Sequence, residues 1–200
     1  MSRDGEPVVF HDVRLEQLTD LCERVVDHGA AALGKAGIGG TNQTAPTLIA
    51  ALALIAGRAP VLVEAKGEGR HMGSVEHRVR EQLQDYDGQC AVMSFNPPTT
   101  CWLARHVPGL PRGHLVRPPH LGRARGMGGA GWRWEGRPAR ALTRMAQWAL
   151  VGYDVRPLLC RQALGLRAAG VPFFAWTVRT SAERALAAAF ADNIVFEAAP

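Results

Sequence analysis

From residue 46 onward the apolar positions of this chain fall into short unbroken runs, separated by longer stretches with helical spacing. Val61-Leu62-Val63 is the clearest run, bounded by Arg58-Ala59-Pro60 before it and Gly67-Glu68-Gly69 after it. A short apolar run between turn signals predicts a fully buried, parallel-type strand. The same pattern places strands near 61–65, 90–95, 113–116, 150–154, 172–178 and 193–197. Between them it predicts a helix over Leu48–Ala56, with Thr47 as N-cap and Gly57 as its stop. That helix is apolar nearly all round, which predicts burial. Another starts at Ser74, with Val75, Val79 and Leu83 on one face, and others cover Thr99–His106, Ala139–Ala149 and Pro157–Ala169. The last runs from a Thr180-x-x-Glu183 capping box to Phe190.

Before residue 46 the pattern is weaker. Asp4-Gly5 signals a turn, and Pro7-Val8-Val9-Phe10 reads as a short strand ending in His11-Asp12. Leu15–Asp27 suits a turn of helix, and Gly29–Pro46 reads as loop with one short helix near Ala30–Leu33.

Alternating helices and strands imply a parallel sheet with covered faces. An open doubly wound sheet and a closed barrel both satisfy this. No glycine-rich dinucleotide fingerprint follows any strand. Polar groups stand at several strand ends (Glu64, Ser94, Asp154, Thr177, Glu197), which suits a barrel whose site is assembled from many strands. Glu64 and Lys66 lie two residues apart, so both point to one face. Charges at the mouth of a buried strand are costly unless paired or bound. They form either an ion pair or part of a functional site. His11 is either a packed histidine beside a surface Asp12 or a reactive imidazole.

The 200 residues fit one domain, and the formal net charge of +5 favours anionic partners. Residues 117–140 concentrate that charge: six arginines face one Glu135, interleaved with Gly and two Trp. This reads as a basic loop inserted after a strand, on the ligand side, where arginines attract anions. Arg with Gly and aromatics also fits a binder of single-stranded nucleic acid. The four cysteines show no Cys-x-x-Cys spacing, and three have apolar surroundings, which predicts buried free thiols in a reducing compartment. The polar start and the absence of a long apolar segment predict a soluble, cytoplasmic protein with no membrane span.

Several segments together resemble the glycerophosphodiester phosphodiesterase family: D-G-E-P-V-V-F-H-D (4–12), P-T-L (46–48), V-L-V-E-A-K (61–66), V-M-S-F-N-P (92–97), W-T-V-R-T (176–180) and A-D-N-I-V-F-E (191–197). They occur in the family's order and cover nearly the whole chain. The resemblance implies a TIM (β/α) barrel of the phospholipase C-like type. It also implies hydrolysis of glycerophosphodiesters to an alcohol and glycerol 3-phosphate, with a divalent cation, Ca²⁺ or Mg²⁺. By the same resemblance His11 matches the second of two acid–base histidines and Glu64 one of three acidic metal ligands. Lys66 matches a lysine near the phosphate, and Trp176 a tryptophan that walls the substrate pocket.

The family pattern opens with a strand ending in His-Arg, then Glu-Asn-Thr, then a strand ending in Glu-x-Asp, and none of these precedes Pro7 here. His77-Arg78 lies in a predicted helix and is a poor substitute. The expectation is an incomplete barrel that lacks the first two strands, with activity impaired in the 200-residue chain. The alternatives are an inactive remnant that binds an anionic ligand or partner, and a nucleic-acid-binding module built on 117–140.

Overall fold

The computed structural model describes residues 1–67, 73–117 and 147–197. Of the basic 117–140 segment only Arg117 falls within them. Most of the helix expected over Ala139–Ala149 also lies outside the described residues. The chain forms two compact units, Met1–Val61 with Gly73–Cys90, and Leu62–Met72 with Ala91–Pro200.

In the first unit, Leu15, Val25 and Leu33 make a small core against Val8, Phe10 and Leu21. Three helices belong to it: α1 (Ala30–Leu33), α2 (Leu48–Ile55) and α3 (Ser74–Gln84). The strand expected over Pro7–Phe10 is reduced to one antiparallel bridge, Val8 with Thr47. Val9 donates to the Pro46 carbonyl and Leu48 to that of Pro7, but Pro7 and Pro46 have no N–H with which to extend the ladder. Helix α2 is capped as expected by the Thr47 hydroxyl, which accepts from the Ala50 amide at 3.3 Å. Its burial is not as expected: Leu48 and Leu52 are buried, whereas Ile49 and Leu54 are 57% and 74% exposed. The helix meets α3 along one side only. On α3 the inward residues are Glu76, Val79 and Leu83, and the Glu76 carboxylate accepts from the Gly73 amide in place of an N-cap side chain. Arg78 of α3 holds the Glu6 carboxylate and donates to the Gly5 carbonyl, which ties down the N-terminal turn.

The second unit is built on a six-stranded sheet in sequential order: β1 (Val61–Glu64), β2 (Cys90–Ser94), β3 (Arg112–Val116), β4 (Leu150–Asp154), β5 (Phe173–Val178) and β6 (Asn193–Phe196). The pairs from β2 through β6 are all parallel. Helices α4 (Pro97–His106), α5 (Arg161–Ala168) and α6 (Ser181–Phe190) form the crossovers. Side chains alternate across the sheet. Register aligns Ser94 with His114, His114 with Val151, and Tyr153 with Ala175. These residues, with Val92, Val116 and Phe173, form the helix-covered face, and none is more than 8% exposed. The opposite face carries Phe95, Leu115, Arg117, Gly152, Asp154, Phe174 and Trp176. The Ala65 amide donates to the Met93 carbonyl, aligning Ala65 with Ser94, so Glu64 and Lys66 also project from that opposite face.

Three local expectations need correction. Strand β1 is half-buried rather than fully buried, because it stands at one end of the described sheet order. Helix α5 starts at Arg161, not Pro157. The Pro157 carbonyl closes a turn with the Cys160 amide, and Cys160 then caps the helix through its sulfur. Cys90, Cys101 and Cys160 are free thiols as expected, but half-buried rather than buried, and Cys22 is exposed.

Candidate active site

Strand ends on the face opposite the helices place the polar groups. At the end of β1, Lys66 Nζ lies 3.9 Å from Glu64 Oε1, with side chains 34% and 25% exposed. A pair at that distance and exposure contributes less than about 1 kcal/mol. These two residues come together as the sequence suggests.

Further along the sheet is a second cluster. Arg117 follows β3, Asp154 ends β4 and Trp176 lies in β5; the register sets Asp154 beside Trp176. The Asp154 carboxylate is 2% exposed. Arg156, two residues on, folds back over it. Its backbone amide and Nε reach Oδ1 at 3.1 and 2.8 Å, and its Nη2 takes Oδ2. Burial pushes the Asp154 carboxyl up, but the Arg156 hydrogen bonds and the two guanidinium charges outweigh this and hold it below the usual carboxylate range. Arg117 Nε stands 4.0 Å from Asp154 Oδ2, beyond hydrogen-bond reach. That nitrogen is buried without a hydrogen-bond partner among the described residues.

The Arg117 guanidinium lies 5.0 Å from the Trp176 ring centre and 5.4 Å from that of Phe95. Those two rings pack edge to face at 5.2 Å. Gly152 makes room for this arrangement: a Cβ there would come within 2.5 Å of Leu115 Cδ2 and 3.2 Å of Trp176 Cδ1. Trp176, singled out in the sequence, therefore packs directly against a cation. The sequence reading left Phe95 and Arg156 unremarked and gave Asp154 no role. The available signals were the Asp-x-Arg spacing just past a strand and an aromatic one residue after Ser94.

His11 belongs to the first compact unit. Its ring is 77% exposed, with Nδ1 2.9 Å from Asp12 Oδ1, so the packed-histidine reading does not hold. His77 is exposed on α3 while its neighbour Arg78 is committed to Glu6 and Glu81.

Among the described residues no three His, Cys, Asp or Glu side chains lie close enough to hold a metal ion. Asp154 is engaged by Arg156, and Glu64 is paired with Lys66. No helix among the described residues is long and apolar enough to cross a membrane.

A parallel sheet of sequential strands, with charged groups gathered at the carboxyl ends, defines part of a β/α-barrel enzyme. The chain belongs to the glycerophosphoryl diester phosphodiesterase family, whose model matches residues 1–195. Membership places it among phosphoric diester hydrolases, a family that is generally metal-dependent. Solved structures agree on the fold. An Oleispira antarctica phosphodiesterase in complex with the product sn-glycerol-3-phosphate is 20% identical, with a TM-score of 0.76. A candidate glycerophosphoryl diester phosphodiesterase of Agrobacterium tumefaciens is 21% identical with a TM-score of 0.78. A glycerophosphodiester phosphodiesterase of Thermotoga maritima is 16% identical with a TM-score of 0.72. In each case the match covers 98% of this chain and 77% of the other, as an incomplete barrel requires. A search among curated proteins gave no match.

Proposed function

We propose that the chain takes a glycerophosphodiester at the carboxyl end of β1, with Glu64 and Lys66 as the residues that hold the phosphodiester. The observation that carries this is their placement: an acidic and a basic side chain at one strand end, on one face, 3.9 Å apart and both partly exposed. Lys66 offsets the negative charge of the phosphate as the reaction develops. Glu64 supplies one carboxylate to a divalent cation, Mg²⁺ or Ca²⁺, which when bound would act as a Lewis acid on a phosphate oxygen. Trp176 walls the pocket, and His11, with Asp12 on its Nδ1, serves as the imidazole that passes a proton. The products of the reaction are an alcohol and glycerol 3-phosphate, a step in glycerophospholipid breakdown, and turnover by the 200-residue chain is impaired. The free state of all four cysteines supports a cytoplasmic setting.

The test is calorimetric binding of sn-glycerol 3-phosphate to the 200-residue chain with Mg²⁺ or Ca²⁺ present. We expect EDTA, or Glu64→Gln, to weaken binding by about tenfold or more. Affinity that ignores both changes would rule out Glu64 as the cation's carboxylate.

A further inference from the structure

We infer that Arg117 selects the second alcohol of the substrate, favouring a head group that carries a further anionic group and disfavouring one that carries an ammonium. This rests on the reading of the chain as a glycerophosphodiester-binding protein and adds the class of diester it prefers.

Four observations carry it. First, among the described residues Arg117 and Arg156 both lie against the Asp154 carboxylate, and the charge of Glu183 acts on Arg156 as well. Second, the distribution is uneven, because Arg156 takes both Asp154 oxygens at hydrogen-bond distance while Arg117 stands off at 4.0 Å. Among the described residues Arg117 is thus the more weakly held of the two guanidiniums, with a buried Nε lacking a hydrogen-bond partner. A buried donor left in that state favours any acceptor that can reach it. Third, Phe95 and Trp176 hold the guanidinium in place, 5.4 and 5.0 Å from their ring centres. A planar fork fixed in advance loses little freedom when it grips a phosphate or carboxylate. Fourth, these rings are also the natural seat for a quaternary ammonium, which is recognised by aromatic faces. Here a guanidinium already lies against both, so a second cation meets like charge.

The spacing suits a ligand with two anionic groups. Arg117 is two strands along the sheet from β1, about 10 Å at the usual strand separation. Two phosphates joined through a three-carbon alcohol can bridge that gap, with a hydrogen bond at each end.

The experiment compares two ligands by isothermal titration calorimetry at one fixed salt concentration: glycerophosphocholine and 1,3-bis(glycerophospho)glycerol. Free sn-glycerol 3-phosphate is the control. The wild-type chain is expected to bind the bis-phosphate ligand at least about tenfold more tightly than the choline ligand. Arg117→Met keeps the apolar stem and should bring that preference to within about threefold. Arg117→Lys keeps the charge without the fork and should fall between, and it carries the comparison if the Met variant does not fold. Equal wild-type affinities, a preference for choline, or a preference that survives in Arg117→Met would overturn the inference and leave the reading of β1 standing. A wild-type chain that binds none of the three ligands would overturn that reading, and this inference with it.

Discussion

His114 shows how one residue on the covered face sets an acid limit for the fold. Its ring stacks on Trp148 at 4.5 Å, and Trp148 in turn donates to the Thr100 hydroxyl at 3.2 Å. Burial drives the imidazole down to about 4, against a smaller opposing pull from its hydrogen bond with the Ser94 backbone. An unfolded histidine titrates near 6.5. Between those values the unfolded chain binds a proton that the folded chain excludes, so stability is full above pH 6.5 and falls as the pH drops toward 4. The gap corresponds to on the order of 3 kcal/mol. Urea unfolding at pH 7.5 and pH 4.5 should show that loss. His114→Phe keeps a flat ring on Trp148 and should remove most of it. An equal loss in the variant would place the acid sensitivity elsewhere.

At the scale of elements, the open face depends on what β4 leaves out. Gly152 lies between Leu115 of β3 and Trp176 of β5, where an added Cβ would overlap Leu115 and press on the indole. Gly152→Ala is therefore expected to destabilise the chain by about 1–3 kcal/mol, the usual range for overpacking. It should also displace Trp176 from Arg117 and shift the tryptophan fluorescence. A variant with unchanged Tm and emission would mean that the face is looser than this geometry requires. On the preceding strand, β3, Gly113 leaves similar room, since a Cβ there would meet Leu150. The element pattern itself was legible. Thr47 and Thr180 mark helix starts, the helix expected from Thr99 begins two residues earlier at Pro97, and the apolar runs mark all six strands to within a residue or two. Pro157 misled because a proline opens a turn as readily as a helix.

For the whole molecule, membership in the phosphodiesterase family and the inventory of its side chains pull in different directions. On the proposed assignment, the 200 residues hold one imidazole, His11, and one carboxylate, Glu64, where the resemblance implies two acid–base histidines and three metal ligands. Loss of one acid–base partner alone costs about 10²–10⁴-fold. We therefore expect little or no release of choline from glycerophosphocholine with Mg²⁺ or Ca²⁺, measured against the same assay in EDTA. Clear metal-dependent turnover that disappears in Glu64→Gln would show that these residues suffice. It would also make His11 the first position to test.

What the sequence determined by itself was local in origin: helices and strands, the parallel class of the sheet, and the shared face of Glu64 and Lys66. Each follows from residues a few positions apart, because period, caps and same-face spacing are short-range properties. Resemblance extended that reading to the family and to Trp176. Tertiary structure alone decided what surrounds the tryptophan. Arg117, Phe95, Asp154 and Trp176 come from four different strands or their immediate ends, and no spacing along the chain brings a guanidinium against two rings. Register across the sheet does so, by setting neighbours that the linear sequence separates by dozens of residues.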